Sequence, residues 1–279
     1  MLCLVIPSEL CRSESEVASL RSQLANHSHV NYPIIEEDAI VIGPEGVAAR
    51  LVTECLSERL VSNTAAHLFK VHGDGSNRGS IVGPGAMMPG IRKDGTLSPT
   101  TRVPKSMLKE MTERGEFTDY LGWVDASKHG DRFTACRETA WSVRAPEIHE
   151  AALPFVREVS RVYREELPEH YARQLAFMRT VSPDFKFDES FSTVTVNRRK
   201  RMAYHYDKND FAGGMGNLVV LEGNESCEIV LPRFRIAFRP RPTDVLLMNV
   251  HELHGHLPIV GERLTAVLYA REHIDACGR

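Results

Sequence analysis

The last third of the chain is a series of short β-prone runs, and this series limits the folds that the chain can adopt. The runs are rich in β-branched and aromatic residues and are separated by Gly, Pro, Asn and Asp. They cover residues 191–196, 201–205, 217–221, 228–231, 234–238, 244–249 and 263–269. Seven short strands in this arrangement predict an antiparallel barrel or a jelly-roll sandwich.

Two helical segments precede most of these runs. Leu153, Val156 and Val159 recur at helical spacing after Pro146, and a second helical pattern covers residues 168–179. Helices of this kind would pack on the outer face of the strand-rich domain. The predicted fold class is therefore α+β, with a double-stranded β-helix (jelly-roll) core and helices packed on one face.

The N-terminal third carries weaker signals. Apolar residues recur at helical spacing in segments 17–24 and 47–56, which predicts two amphipathic helices. Segment 73–90 is rich in Gly and Pro and predicts a long loop. We expect residues 1–100 to form a helical and loop-rich N-terminal extension, and residues 101–279 to form the β-helix domain.

Cysteine usage and charge exclude several classes of protein. The six cysteines show no CxxC pair, which suggests neither a disulfide framework nor a thiolate zinc site, and a reducing, intracellular setting is expected. The apolar start of the chain lacks the basic segment of a signal peptide, and no run reaches membrane-spanning length. The net charge of −3 argues against a protein that coats nucleic acid by bulk electrostatics.

Arginines are nevertheless concentrated at two places in the strand-rich part. Arg198, Arg199 and Arg201 lie just before a His-x-Asp motif, and four more arginines occur in segment 232–242. If both segments border one cleft, they would supply contacts to nucleic-acid phosphates. Solvated strand faces are the alternative.

The His-x-Asp motif is formed by His205 and Asp207. Residues two apart point to the same face of a strand, and a distal histidine follows at His251, His254 or His256. Two histidines and one carboxylate on one face are the ligands of non-haem Fe(II), with positions left open for oxygen chemistry. The alternative is a structural histidine beside a turn-capping aspartate.

A strand that begins with an arginine follows the histidine cluster. Arg263 is placed to form a bidentate pair with the carboxylate of a co-substrate that also chelates the metal. The hydroxyl of Thr265, two residues on, points to the same face. Together with the metal ligands, these residues describe a 2-oxoglutarate site.

Three stretches of the chain, in order and spacing, resemble the TET/JBP family of 5-methylpyrimidine dioxygenases. They are residues 191–198, the motif His205-x-Asp207-x-x-Asp210, and residues 244–258. Within the family, the chain is most similar to the JBP-like branch of kinetoplastids, phages and algae. The likeness covers roughly residues 153–272.

This resemblance implies a set of metal ligands. It places them at His205, Asp207 and His254, because the family's distal histidine stands four residues before a proline, as His254 does. His251 and His256 are the second choices.

The resemblance also implies residues around the metal. The family's co-substrate arginine falls on Arg263, with Thr265 at its Ser/Thr position. The segment before Arg263 is shorter than in several relatives, so Arg271 is an alternative. Asn197 matches a recurrent asparagine that would help to bind the co-substrate, and Asp210 matches an acidic residue that would face the base.

The activity implied by the resemblance is oxidation of the 5-methyl group of 5-methylcytosine or thymine in DNA, with Fe(II), 2-oxoglutarate and O2. A base inside a duplex cannot reach a buried iron, so the target nucleotide would be flipped out or single-stranded. Tyr206 and Phe211 would stack on the base, and Arg198 and Arg201 would hold the flanking phosphates. Barrel core is the alternative for the two aromatic residues.

Other functions fit the same motifs. An algal branch of the family is similar in these motifs but uses ascorbate to modify 5-methylcytosine. A 2-oxoglutarate oxygenase that acts on a small molecule or a protein side chain, and a non-catalytic barrel that reads modified bases, are further alternatives. We expect an intracellular protein without a membrane partner, in the nucleus of a eukaryote or the cytoplasm of a phage-infected or bacterial cell. The oligomeric state stays open.

Overall fold

The computed structural model describes residues 1–28, 30–71, 88–91, 97–102, 110, 115–129, 132–223 and 227–278. The α-helices are α1 (Glu14–Ser19), α2 (Glu58–Leu68), α3 (Ala140–Arg144), α4 (Pro146–Glu166) and α5 (Pro168–Thr180). The strands are β1 (Leu2–Val5), β2 (Ile34–Ile35), β3 (Ala39–Gly43), β4 (Gly46–Val52), β5 (Met88–Ile91), β6 (Leu97–Arg102), β7 (Phe117–Val124), β8 (Ser127–His129), β9 (Arg132–Thr134), β10 (Arg137–Glu138), β11 (Thr193–Arg198), β12 (Gly216–Glu222), β13 (Ile229–Leu231), β14 (Ile236–Phe238), β15 (Val245–Met248), β16 (Gly255–His256) and β17 (Leu264–Tyr269). Single 3-10 turns lie at Ser8–Leu10, Pro183–Phe185 and Ile274–Ala276.

Two sheets form the body of the protein. Among the described residues, the major sheet has nine strands in the order β1-β3-β4-β15-β12-β17-β11-β7-β10, and the minor sheet has four in the order β16-β13-β14-β2. The pairings from β4 across to β10 are antiparallel, whereas β1 with β3 and β14 with β2 are parallel. Two facing sheets of short, mainly antiparallel strands are the predicted jelly-roll sandwich.

Strand β17 shows how the major sheet separates its two faces. Leu264, Ala266 and Leu268 join the hydrophobic core under the helices, whereas Val267 and Tyr269 line a cavity between the sheets. Because side chains alternate along a strand, a single run of six residues serves both faces. Strand β11 repeats this alternation and places Thr195 and Asn197 toward the cavity.

Helices α4 and α5 cover the outer face of the major sheet. The buried stripe of α4 includes Phe155, Val159 and Tyr163, which belong to one core cluster with Phe191 and Val194. A stripe of this kind on the described α4 is what an amphipathic helix presents to a sheet. The predicted helices are confirmed, and so is the α+β class with helices on one face.

The N-terminal part of the sandwich differs from the prediction. Segment 47–56 was expected to be a helix, but Gly46–Val52 is strand β4, between β3 and β15 in the major sheet. A strand that is covered on both faces lacks the alternation of a half-exposed one, and its apolar positions can mimic helical spacing. The expected helix at 17–24 exists as α1, but it ends at Ser19.

The first 52 residues therefore contribute strands to both sheets. Strands β1, β3 and β4 extend the major sheet, and β2 pairs with β14 in the minor sheet. The division at residue 100 stays a prediction. Most of the Gly-rich segment 73–90 lies outside the described residues, and its last residues belong to β5, which pairs with β6.

A disulfide corrects the prediction from the cysteines. Cys136 and Cys277 are bonded to each other across 141 residues of sequence, and Cys3, Cys11, Cys55 and Cys227 are free thiols. The pairing escaped sequence inspection because only the fold brings these two positions together. In the described part of the chain, no helix is both long and apolar enough to cross a bilayer.

Candidate metal centre

Three side chains that the sequence singled out meet at one end of the sandwich. His205, Asp207 and His254 each offer a ligand atom within 4.8 Å of the other two. The Nε2 atom of His205 lies 3.7 Å from Asp207 Oδ1, and the Nε2 atom of His254 lies 3.5 Å from Asp207 Oδ2. Two imidazoles and a carboxylate converging in this way fit a non-haem iron ion and leave other coordination positions open.

A short backbone ladder holds the three ligands together. The amide of His205 donates to the carbonyl of His254 (2.8 Å), the amide of His254 donates back (3.1 Å), and the amide of Asp207 donates to Val250 (3.0 Å). The predicted strand at 201–205 is wrong, because His205 forms only this isolated bridge. The residues before it hydrogen-bond irregularly instead, Tyr204 with Gln23 and Met202 with His256.

Backbone carbonyls set the orientation of both histidine rings. Nδ1 of His205 lies 2.8 Å from the carbonyl of Ala203, and Nδ1 of His254 lies 2.9 Å from the carbonyl of Glu252. A carbonyl only accepts, so each Nδ1 carries a proton, and each Nε2 faces Asp207. The side chain of Glu252 does not orient either ring and forms an ion pair with Arg233.

The charge balance of the cluster favours a cation. Burial lowers the pKa of His254, but the hydrogen bond to Asp207 and the charge of that carboxylate outweigh it, and the pKa is raised overall. The carboxylate of Asp207 therefore stabilises positive charge on the His254 ring. A metal ion at the same place would supply that charge and displace the proton.

The cluster opens into a cavity of about 70 Å³, which has room for more than a single water molecule. Its polar wall is formed by Thr118, Tyr120, Thr195, Asn197, Asp210, His256 and Tyr269. Its apolar wall is formed by Met202, Leu218, Met248, Val250 and Val267. The major sheet supplies most of the polar residues through β7, β11 and β17.

Hydrogen bonds across the major sheet fix the polar wall. Thr118 Oγ1 donates to Asn197 Oδ1 at 2.8 Å, between neighbouring strands β7 and β11. Thr195 Oγ1 donates to the Tyr269 hydroxyl at 3.1 Å, between β11 and β17. Asn197, which the sequence assigned to the co-substrate, thus lies in the cavity wall in a fixed orientation.

Asp210 lines the cavity as the sequence suggested, and a turn supports it. Its amide donates to the carbonyl of Asp207 (3.2 Å), and its own carbonyl is 3.0 Å from Nε2 of His251. The backbone of Arg271 also forms an isolated antiparallel β-bridge with Asp210. His251 is therefore a support for this turn and lies outside the metal cluster.

The two candidate co-substrate arginines lie in different surroundings. Arg263 is 4% exposed and directly precedes β17, and Thr265 pairs with Asn197 across β11 and β17. Neither Arg263 nor Thr265 is part of the cavity wall. Arg271 lies 2.5 Å from Asp125 through its Nε atom, in a pair with both residues buried. Because Arg271 is already paired with the carboxylate of Asp125, it is not placed to bind a carboxylate of the co-substrate.

The aromatic residues and arginines that were assigned to DNA, Tyr206, Phe211, Arg198 and Arg201, lie outside the cavity wall. Tyr206 packs beside Tyr204 in a separate hydrophobic cluster, and Phe211 stacks on Phe177 with ring centres 4.2 Å apart. Phe177 and Phe211 are both partly exposed, and Phe211 directly follows the cavity residue Asp210.

The arginines make contacts within the protein. Arg198 lies 3.7 Å from the ring centre of Phe69 and 3.4 Å from Glu262, and Arg201 donates to the carbonyls of Ala25 and His256. In segment 232–242, the ion pairs are Arg233 with Glu45 and Glu252, Arg239 with Glu36 and Glu228, and Arg241 with Glu36. Because these arginines are already paired with acidic residues, the segment fits a solvated strand face better than a phosphate-binding surface.

Sequence reasoning missed part of the cavity wall. Thr118 and Tyr120 come from β7, and residues 117–124 were not recognised as a strand because they show no regular alternation of apolar and polar residues. His256 was considered only as a substitute metal ligand, yet it lines the cavity beside the cluster. Burial, and then the charge of Arg263, holds the pKa of His256 well below its usual range.

Two histidines and an aspartate that converge in the wall of a cavity between the sheets of a jelly-roll sandwich are an arrangement that fits the non-haem iron oxygenases. Residues 123–272 match the Tet_JBP family, the oxygenase domain of the 2OGFeDO superfamily. The chain therefore belongs to the TET/JBP oxygenase family, as its motifs predicted.

Relatives of known name agree with this assignment. The bifunctional helicase and thymine dioxygenase JBP2 of Trypanosoma brucei brucei (strain 927/4 GUTat10.1) is 37% identical over 57% of the chain and 15% of its own length. Thymine dioxygenase JBP1 of Trypanosoma brucei brucei is 33% identical over 49% of the chain and 17% of its own length. The chain thus spans about a sixth of the length of these relatives.

A solved structure shares the fold over nearly the whole chain. NgTET1 in complex with 5mC DNA superposes with a TM-score of 0.56, at 12% sequence identity, and the match covers 95% of this chain and 94% of that one. At this identity the likeness concerns the fold alone. It confirms the predicted double-stranded β-helix class.

Proposed function

We propose that this protein oxidises the 5-methyl group of a pyrimidine, 5-methylcytosine or thymine, in DNA, with Fe(II), 2-oxoglutarate and O2. The observation that carries the proposal is the convergence of His205, Asp207 and His254 at a small cavity inside the family's oxygenase domain. The trypanosome relatives are named as thymine dioxygenases, which supports a methylated pyrimidine as the substrate.

The donor set of the cluster fits iron, and His205, Asp207 and His254 would hold it. Bound iron and 2-oxoglutarate would supply the oxidising chemistry that the side chains lack. Arg263 and Thr265, with Asn197 in the cavity wall, would bind the carboxylates of 2-oxoglutarate. Arg263 is the better candidate than Arg271, because Asp125 already pairs with Arg271.

The protein's own part in the reaction is to position the methyl group and to exclude water. The apolar wall, including Met202, Met248 and Val250, shields the metal side of the cavity. Asp210 would accept a hydrogen bond from the edge of the base. Because the cluster lies inside the sandwich, the target base must leave the helical stack to reach it.

The DNA contacts that the sequence assigned stay proposals outside the cavity. Tyr206 and Phe211 would contact the base or its neighbours at the entrance, and Arg198 and Arg201 would approach the phosphates. Each of these side chains already has protein contacts, so DNA would have to compete with them or add to them.

The direct test is anaerobic addition of Fe(II) and 2-oxoglutarate, followed by visible absorption. The expected result is a weak charge-transfer band in the wild type and none in Asp207→Ala, which removes the only carboxylate of the cluster. A parallel sample with ascorbate tests the alternative co-substrate. A wild type that gives no band with 2-oxoglutarate and no reaction with ascorbate contradicts the proposal.

The substrate is tested separately. Mass spectrometry of nucleosides after incubation with DNA that contains 5-methylcytosine, or thymine alone, identifies the base. Duplex and single-stranded DNA are compared, since flipping costs less in a single strand. If a metal-loaded protein consumes 2-oxoglutarate but modifies neither base, a small molecule or a protein side chain becomes the substrate class.

A further inference from the structure

A surface next to the turn that carries Asp210 is not used by the metal cluster. Phe211 directly follows Asp210, which lines the cavity, and its amide donates a hydrogen bond to the carbonyl of Ala270 (2.8 Å). Ala270 itself directly follows Tyr269, another residue of the cavity wall. Phe211 is therefore attached beside the part of the wall that contains Asp210 and Tyr269.

Helix α5 packs against the loop that contains Phe211. The ring of Phe177 on α5 stacks on the ring of Phe211, with centres 4.2 Å apart and planes 7° apart. Arg173 Nε donates to the carbonyl of Gly213 (3.3 Å), and a Cβ atom at residue 213 would lie only 2.6 Å from the Phe211 ring. Helix α5 and residues 208–214 thus form one continuous surface, on which both aromatic rings are partly exposed.

This surface carries two cations that the protein does not neutralise. Arg173 and Lys208 are exposed, and neither forms an ion pair with any residue that the structure describes. Glu169, one helical turn before Arg173, does not pair with it. Glu272 is the acid that contacts the loop, and it accepts a hydrogen bond from the amide of Ala212 (2.8 Å). The cations can therefore contact an anionic partner without breaking an ion pair.

The combination of groups indicates a nucleic-acid strand as that partner. Exposed cations contact phosphates, and partly exposed aromatic rings stack with bases of any sequence. The surface also borders the cavity that would receive the target base, so a strand that delivers the base passes over it. Arg198 and Arg201, by contrast, are held by Glu262 and by backbone carbonyls.

We propose that helix α5 and residues 208–214 form a docking surface for the DNA strand that carries the target base. Arg173 and Lys208 bind phosphates of that strand, and the paired rings of Phe177 and Phe211 pack against the base next to the target. The inference rests on the proposed function and adds the path that the DNA takes to the cavity.

The test measures binding and does not depend on turnover. The fluorescence anisotropy of a labelled single-stranded oligonucleotide with one 5-methylcytosine, and of the matching duplex, is followed as protein is added at several salt concentrations. The variants are Arg173→Gln and Lys208→Gln, singly and together. We expect the double variant to bind about tenfold more weakly at low salt, with a salt slope for the single strand that is smaller by about 0.7 for each lost phosphate contact.

A variant of the aromatic pair tests stacking separately from charge. Phe177→Leu keeps an apolar side chain on α5 but removes the ring that stacks on Phe211. We expect it to bind the single strand about fivefold more weakly, with the salt slope of the wild type, because no phosphate contact is lost.

Two further variants are the controls. Arg173→Lys keeps the positive charge and should restore the affinity and the salt slope that Arg173→Gln loses. Arg179→Gln removes an exposed charge from another face of α5, about 120° around the helix from Arg173, and should change the affinity by about twofold or less.

The outcomes separate the inference from the proposed function. An unchanged affinity and salt slope in the double variant would overturn the inference. An equal loss in Arg179→Gln, or no recovery in Arg173→Lys, would also overturn it, because the effect would then come from net charge or from the structure of the loop. A wild type that binds neither oligonucleotide at low salt contradicts the proposed function itself, so the two failures are distinguishable.

Discussion

At the scale of single residues, the candidate site is organised before any ligand arrives. Two backbone carbonyls orient the histidine ligands, and a neighbouring threonine orients Asn197 in the cavity wall. Preorganised groups do not have to give up conformational freedom when the metal and co-substrate bind. The contribution of each orienting group can be measured in the binding equilibrium.

Thr118→Val tests the orientation of Asn197. The change keeps the volume and removes the hydroxyl that donates to Asn197 Oδ1. We expect the co-substrate to bind about three- to tenfold more weakly to the metal-loaded protein, with a stability loss of about 1 kcal/mol.

The matched control is Thr64→Val on α2, a buried threonine whose hydroxyl donates to a helix carbonyl far from the cavity. It should lose similar stability without a change in co-substrate affinity. Equal affinities for Thr118→Val and wild type would mean that Asn197 does not depend on this bond.

Cys55 should be chemically inert at neutral pH. Burial raises its pKa to about 12, from an ordinary value of 9.0. A shift of this size leaves about 1,000-fold less thiolate at pH 8 than an ordinary thiol has. Alkylation mapped by mass spectrometry should therefore label the exposed Cys3 first.

The same shift has a consequence for stability. The folded state holds the Cys55 proton more tightly than the unfolded state, so its contribution is fully present below pH 9 and is lost as pH rises toward 12. Alkylation of Cys55 as fast as Cys3 at pH 8 would contradict this environment for the thiol.

At the scale of elements, the cavity depends on strands whose opposite face packs against the helices. The cavity residues of β11 and β17 alternate with core residues that pack under α4. Any shift of one strand by a single residue would exchange the two sets. Helix packing therefore maintains the register on which the polar wall depends.

Phe155→Ala tests this anchoring. Phe155 is fully buried on α4, and its removal leaves a cavity in the core under the sheet. We expect the free energy of unfolding to fall by about 3–5 kcal/mol in urea denaturation.

Arg157→Ala on the exposed side of the same helix is the control, with an expected change of about 0.5 kcal/mol or less. If the free energy of unfolding falls by the same amount in both variants, the buried apolar residues of α4 do not hold the helix on the sheet.

At the scale of the whole molecule, the C-terminal segment connects the site to the far edge of the major sheet. Residues 270–272 hydrogen-bond to the turn at 209–212 that carries Asp210, and Cys277 is bonded to Cys136 next to β10. The buried pair of Arg271 and Asp125 joins the same two regions. Residues 270–277 are thus attached both to the turn that carries Asp210 and, through the disulfide, to the edge of the sheet at β10.

The disulfide gives a prediction about thiol count and stability. Of six cysteines, four should react in denaturant without reductant, and all six after reduction. Because the bond closes a long loop, Cys136→Ser should lower the free energy of unfolding by about 2–5 kcal/mol.

Cys3→Ser, at an exposed free thiol, is the control and should leave stability unchanged. Six reactive thiols in the denatured, unreduced protein would mean that the bond does not form in solution.

Much of the fold could be predicted because local patterns carry it. The helices at 146–166 and 168–180 and most strands after residue 190 follow from periodicity and turn residues. Strand β4 could not be predicted, because burial on both faces removes the alternation that marks a strand. The disulfide was missed because its partners are brought together only by the fold.

The sequence by itself predicted the family, the sandwich class and the three residues that the structure brings together, His205, Asp207 and His254, the last of them through the family resemblance. A His-x-Asp spacing and a distal histidine are properties of the linear chain. Only the tertiary structure decided which neighbours surround them. It separated His251, which supports a turn, from His256, which lines the cavity, and it paired Arg271 with Asp125. Those choices depend on contacts between strands far apart in sequence, which no local pattern encodes.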